Sequence, residues 1–413
     1  MINSSLLKLV LITLPVLLSL FSRTDEKCLK ATNTTSIDKE FKTISIKEIT
    51  NSQNAETLIK SYYYLPLETN ENCIIGHIDK IMFHNKRIYI LDENQAKSIF
   101  VYGLDGTFIN KICKIGKGPG EYDKIQDIEI DSSLNQIIVL CTNLRKLIFY
   151  DALSGRFIRE EHLEVGPLSF VKTDGENYLF DARLELGKKA GENRLMVVDS
   201  SFNYITGYFL RSNFTSTENT PFTRYNDIIY YCANYNDTVF AFRNGALSGR
   251  YYIDFGSRKL DMATLPRELF SDKGVLKKKI VPFLDQHKFA QYVRESKIPF
   301  HIMSFFESDD FIRFSFVYEG KVANAIYDKS SQSVKTYLTL RQKNDICFDG
   351  MIYAVKGNSF VGVVNANMLE QVIESRKKNN SMYLDDIRKK VHLPENFSAY
   401  DNPMLIFVNY LNF

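Results

Sequence analysis

The sequence predicts an all-β fold: a six-bladed β-propeller of four-stranded antiparallel blades, closed by N- and C-terminal strands and carrying two helical insertions. Three observations predict it. A unit of about 40 to 50 residues recurs about six times, the period range of propeller blades. Its clearest copies each hold four short β-rich runs separated by turn residues. A strand with no blade of its own lies near each end of the repeats, so pairing the two would close a ring and remove its free edges.

The first 28 residues are expected to be a signal peptide or short N-terminal anchor. Lys8 precedes an apolar run from Leu9 to Phe21. As a helix that run spans about 20 Å, against about 30 Å of hydrocarbon, and it has no polar face. Export to the periplasm or outer-membrane surface follows, with membrane association only through this segment. Asp25, Glu26 and Lys27 stand before Cys28 where a lipobox would need small apolar residues, so Cys28 is not assumed to be a lipid anchor. Residues 29–60 are expected to be a linker and strand region, and 61–413 the propeller.

Ile78 to Ile112 is the clearest blade, with HNK, DENQ and LDG as its turns. Ile125 to Leu163 repeats it with SSLN, TNLR and ALSG. Looser copies run from Ser169 to Phe209, Thr220 to Gly256 and Ile302 to Leu340, with a last one from about Asp345. In each unit one inner strand, such as RIYIL or QIIVL, is almost continuously apolar, as a strand covered on both faces must be. Residues 257–296, with RELF, VLKKKIVPFL and HKFAQYVRES, and residues 367–393, with MLEQVIESRKKNN and YLDDIRKKV, read as the helical insertions. Tyr62 to Glu68 and the terminal PMLIFVNYLNF are the closing strands.

The stretch LDGTFINKICKIGKGPGEYDKIQDIEID, from Leu104 to Asp131, resembles a hallmark of the NHL-like six-bladed β-propeller proteins of gut-dwelling Gram-negative bacteria. YLPLETNENCIIGHIDKI, YNDTVFAF, YYIDFG and DNPMLIFVNYL are similar to further landmarks of that family, in its order. The resemblance covers the chain from about Tyr62 to Phe413. It implies a propeller of the cell envelope and is specific for fold rather than function.

Charge and motif content narrow the function. A net charge of +3, from 52 basic and 49 acidic side chains, gives no field to steer a polyanion, so nucleic acid is not an expected partner. Gly116 to Tyr122, GKGPGEY, lacks the Lys-Ser or Lys-Thr of a phosphate loop and opens onto a strand, which assigns its glycines to tight turning. The six histidines show no zinc-ligand spacing, and no nucleophile elbow is present. The six cysteines are widely spaced and read as free thiols, with Cys113, Cys141, Cys232 and Cys347 in apolar strand-like runs.

These readings favour a non-catalytic binding or scaffold propeller, a monomer that recognises a glycan, peptide or envelope protein at the channel mouth without a cofactor. The candidate ligand-binding residues are Glu121, Tyr122, Asp123, Gln126, Asp127, Arg145, Arg183, Arg224 and Tyr225. The alternative is a metal-assisted hydrolase or lyase with channel carboxylates. Asp127, Glu129 and Asp131 share one strand face by period two and offer oxygen ligands for Ca²⁺ if other blades contribute more.

Overall fold

A computed structural model describes residues 40–182, 193–210, 221–233, 235–262, 264–276, 279–341, 350–377 and 397–413. Turn residues cut the chain into short strands that pair in sequence, giving six sheets arranged as blades around one axis. Blade 1 comprises Lys80–His84, Arg87–Asp92, Ser98–Gly103 and Phe108–Ile112, and blade 2 comprises Asp127–Asp131, Gln136–Cys141, Lys146–Asp151 and Phe157–His162. The innermost strands of blades 3 to 6 are Ser169–Lys172, Phe222–Tyr225, Phe300–Glu307 and Ile352–Lys356. These six strands neighbour one another in chain order, and the last returns to the first.

The nearly continuous apolar runs RIYIL and QIIVL prove to be the second strands. Ile88, Tyr89 and Ile90, like Ile137, Ile138 and Val139, are fully buried because a neighbouring blade covers each face. Six apolar cores fill the six gaps between blades. One joins Tyr89 and Val101 to Ile128 and Val139, for example, and another joins Phe311 and Ile326 to Phe360 and Ile406. No blade buries its apolar faces alone, so the ring is the unit of stability.

Closure occurs as the sequence predicts. Ile59–Leu65 pairs antiparallel with Met404–Tyr410 as the outer strand of blade 6, with Tyr64 opposite Ile406 and Tyr62 opposite Val408. The strand begins two residues before the expected boundary at 61. Upstream of it, Lys42–Ser45 adds a parallel fifth strand to Ala246–Asp254 of blade 4, and Ser52–Asn54 pairs with Thr339–Arg341 beyond blade 5. The segment from 42 to 65 therefore laces the rims of three consecutive blades.

The first insertion differs in part from expectation. VLKKKIVPFL lies in a β-hairpin, Phe270–Leu276 with Lys279–Leu284, rather than a helix. β-Branched Val275, Ile280 and Val281 favour extended backbone, and Pro282 has no N–H for a helix interior but is tolerated in a two-stranded ribbon. The following helix, α1 (Gln286–Glu295), forms as predicted. The side chain of Asp285 caps it by accepting from the backbone N–H groups of His287 and Lys288, each at 3.1 Å. The second insertion begins with α2 (Ala366–Lys377), and YLDDIRKKV lies outside the described residues.

Among the described cysteines, Cys73, Cys113, Cys141 and Cys232 are free thiols. Cys113 is exposed, contrary to its apolar context, because it falls just past the outer strand of blade 1. Cys28 and Cys347 lie outside the described residues. Among the described residues no helix is long and apolar enough to cross a membrane.

Candidate functional site

The six innermost strands enclose a channel of about 880 Å³. Two kinds of residue line it, on different arcs. Blades 2, 3 and 4, with Lys80 of blade 1, supply Glu129, Asp131, Lys172, Asp174 and Arg224. Blades 5, 6 and 1 supply Phe306, Met351, Ile352, Tyr353, Met82 and Phe83. Blade 2 stands across a six-membered ring from blade 5, and blade 3 from blade 6, so the charged arc faces the apolar one.

The charged arc is held by contacts between blades. Asp127 is buried; one of its carboxylate oxygens accepts from Lys80 Nζ at 2.8 Å, and the other accepts from Ser169 Oγ at 2.5 Å and the Phe170 N–H at 3.1 Å. It therefore ties the inner strands of blades 1, 2 and 3 together. Asp131 pairs with Lys172 and also accepts from Ser133 Oγ at 2.6 Å. Burial opposes ionisation of Asp131, but the bonds from Lys172 and Ser133 outweigh it and hold the carboxyl below its usual range. Arg224 Nη1 lies 2.6 Å from Asp174 Oδ1, and its Nη2 donates to the Lys172 carbonyl.

Glu129 is different. It is 7% exposed and lines the channel, and among the described residues its Oε1 accepts from the neighbouring Ile130 N–H alone, at 3.2 Å. Burial pushes its carboxyl above the usual range, a shift that the more distant charges of Lys80 and Arg224 oppose without cancelling. Among the described residues no group of three His, Cys, Asp or Glu side chains is placed to hold a metal ion.

The residues singled out in the sequence fall into three places. Asp127 and Arg224 belong to the channel wall. Gln126 joins a cluster with Glu93, Lys124 and Asp79, of which Asp79 lines the channel: Lys124 Nζ lies 2.6 Å from Glu93 Oε1, Gln126 Nε2 donates to the same oxygen at 3.3 Å, and the Glu93 N–H donates to Asp79 at 2.7 Å. Glu121, Tyr122 and Asp123 are turned away from the channel. Glu121 accepts from the Gly118 N–H at 2.9 Å, and Asp123 accepts from Cys141 and Asn143 at 3.0 and 3.1 Å.

Tyr122 is fully buried, with its hydroxyl directed at the Lys97 and Ile112 carbonyls and accepting from the Lys114 N–H, each at 3.1 Å. The GKGPG loop lies over the outer edge of blade 2, where the Gly120 N–H donates to Glu160 and the Gly120 carbonyl accepts from Tyr150. Gly120 has φ +69°, and a Cβ there would stand 2.7 Å from the Phe157 ring, so no other residue fits without strain. Arg145, at φ +51°, is an exposed turn residue of blade 2. Tyr225 donates to Asp309 at 2.7 Å between blades 4 and 5, and Arg183 lies outside the described residues.

Lys80, Lys172, Phe83, Phe306, Met351 and Tyr353 were not singled out, yet they line the channel. The signal for them was their place in or next to the first strand of each repeat.

The fold has solved counterparts. A crystal structure of an exported-protein candidate from Bacteroides fragilis is 17% identical, covering 90% of this chain and all (100%) of that one, with a TM-score of 0.70. A member of the DUF4221 family from Bacteroides vulgatus is 12% identical, covering 86% of this chain and 97% of that one, with a TM-score of 0.49. No curated protein matches the chain. Residues 41–409 match the model of a domain of unknown function, and the chain belongs to that family, DUF4934.

Proposed function

We propose that the chain is a non-catalytic binding propeller of the bacterial cell envelope, of the NHL-like kind, that takes a peptide or glycan segment into its channel. The single observation that carries this reading is the two-sided lining, charged on blades 2 to 4 and at Asp79 and Lys80 of blade 1, and apolar on blades 5 and 6 with Met82 and Phe83 of blade 1. Such a lining recognises a ligand with one polar and one apolar side. Two carboxylates of the wall support binding over turnover, because Asp127 and Asp131 are committed to lysines across blade boundaries and hold the inner strands together. The exported-protein candidate from Bacteroides fragilis and the apolar run from Leu9 to Phe21 support an envelope location.

Peptide and glycan arrays probed with the purified chain test the reading. A Thr223→Trp variant, which places an indole on the channel lining, is the control. Capture of one ligand class by the parent chain and its loss in the variant is the expected result. Capture that the variant leaves unchanged would move the site off the channel, and turnover of a captured ligand would replace binding with catalysis.

A further inference from the structure

The cations of the charged arc are already matched. Lys80 has Asp127, Lys172 has Asp131, and Arg224 has Asp174. Glu129 is left over: a carboxyl more than nine-tenths buried, facing the channel, whose Oε2 has no partner among the described residues. A carboxyl so placed has no cation in contact with it, only the more distant charges of Lys80 and Arg224, so it is open to pairing with a ligand's ammonium. The ring sets it across from blade 5, where Ser304 and Phe306 line the channel, with Tyr353 on adjoining blade 6 and Phe83 one blade further on, on blade 1 beside blade 2. No charged side chain of blades 5 and 6 lines the channel among the described residues, although Lys356 of blade 6 sets its ammonium over the Phe83 ring.

We propose that the channel binds an organic monocation, a primary amine carried on an aromatic or aliphatic body, with the ammonium paired to Glu129 and the body against Phe306 and Tyr353. The proposal rests on the reading of the channel as the ligand site and deepens it. A lysine side chain or the N-terminal amine of a peptide has this chemistry. Aromatic rings across from a carboxylate favour a cation twice, through ion pairing and through the negative face of the ring. A neutral hydroxyl compound would meet only an acceptor, and an anion would meet an unmatched carboxyl.

Proton linkage follows. Burial keeps Glu129 protonated to higher pH than an ordinary carboxyl, so pairing it with an ammonium ionises it and passes its proton to the buffer. The charged groups facing it, Lys80 with Asp127, Lys172 with Asp131 and Arg224 with Asp174, are paired before the ligand enters and after it. His77, His84 and Asp79 lie toward the channel ends.

Titration calorimetry of the purified full-length protein with benzylamine at about pH 6, in two buffers of different ionisation enthalpy, tests this, with benzyl alcohol and benzoate as comparison probes. Benzylamine is expected to bind with net proton release, and benzyl alcohol at least about tenfold more weakly. Benzoate is expected not to bind. Glu129→Gln should remove the proton release and weaken benzylamine by at least about tenfold, and Glu129→Asp should fall between the two if the glutamine variant fails to fold. Equal affinity for the alcohol, benzylamine affinity unchanged in Glu129→Gln, or Ca²⁺ displacing benzylamine would each overturn the proposal. Failure of benzylamine to bind, while Thr223→Trp still blocks array capture, would sink the monocation and leave the channel reading standing.

Discussion

Single residues show how far one polar group's role depends on where its partners lie. Tyr122 belongs to the densest glycine cluster of the sequence, which suggested a ligand contact, yet its hydroxyl serves two carbonyls and one N–H inside the joint between blades 1 and 2. Tyr122→Phe is therefore expected to lower stability by about 1 to 3 kcal/mol, the cost of leaving buried partners unmet, and to leave channel binding unchanged. Urea unfolding read beside array capture checks both halves, and an unmoved midpoint would rule out the lock. Asp237 makes the residue-scale case for pH. Burial, with Asp254 nearby, pushes its carboxyl up to about 7, and Lys259 only partly offsets this. The unfolded carboxyl titrates at about 3.9. Between these values the folded chain holds a proton that the unfolded chain has lost, so this group's contribution to stability falls as pH rises from about 4 to 7 and stays unfavourable above that. Asp237→Asn is expected to raise the melting temperature at about pH 8, with the gain shrinking toward pH 4. A gain that is the same at every pH would show that the carboxyl is not the source.

Elements were legible where local chemistry and burial agree. Turn residues and apolar runs marked four strands in blades 1 and 2, and the terminal strands could be paired because each lacked a blade. Two things were not legible. VLKKKIVPFL carries the lysines of a helix surface, and only its β-branched residues and Pro282 point to the hairpin that forms. RIYIL, the most apolar strand, drew attention away from the first strand of each repeat, whose mixed residues in IDKIMF or DIEID reflect a channel rather than a surface. The parallel additions of the N-terminal segment were illegible too, because nothing local specifies a partner some 200 residues away, as when Ile44 pairs with Ile253. Ile44 is 1% exposed and packs in the core between blades 4 and 5. Ile44→Ala should cost about 2 to 4 kcal/mol. Because the addition covers the outer edge of blade 4, hydrogen exchange should quicken at Tyr251 to Asp254 before it does in blade 1. Unchanged protection there would mean that the added strand is not what covers that edge.

At the scale of the whole molecule, closure creates both the stability and the site. The charged arc faces the apolar arc only because blade 6 returns to blade 1, so the channel's two-sided character has no counterpart in any one stretch of sequence. The same closure makes unfolding collective: each interblade core needs two blades, and losing the joint at blade 6 uncovers blades 5 and 1 in turn. Tyr64 lies in the closing strand, 2% exposed, within the core shared by blades 5 and 6. Tyr64→Ala is expected to cost about 3 to 5 kcal/mol without splitting the transition. The chain contains no tryptophan, so Phe306→Trp in the channel and a separate tryptophan at exposed Phe157 of blade 2 each give a lone fluorescent reporter, the first against the core that holds Tyr64 and the second far from it on the ring. With Tyr64→Ala present, both reporters should shift to the same lower denaturant midpoint. Were blade 2 to keep the parent midpoint while the channel reporter moved, the blades would be unfolding one by one, and the termini would fasten one blade rather than the ring.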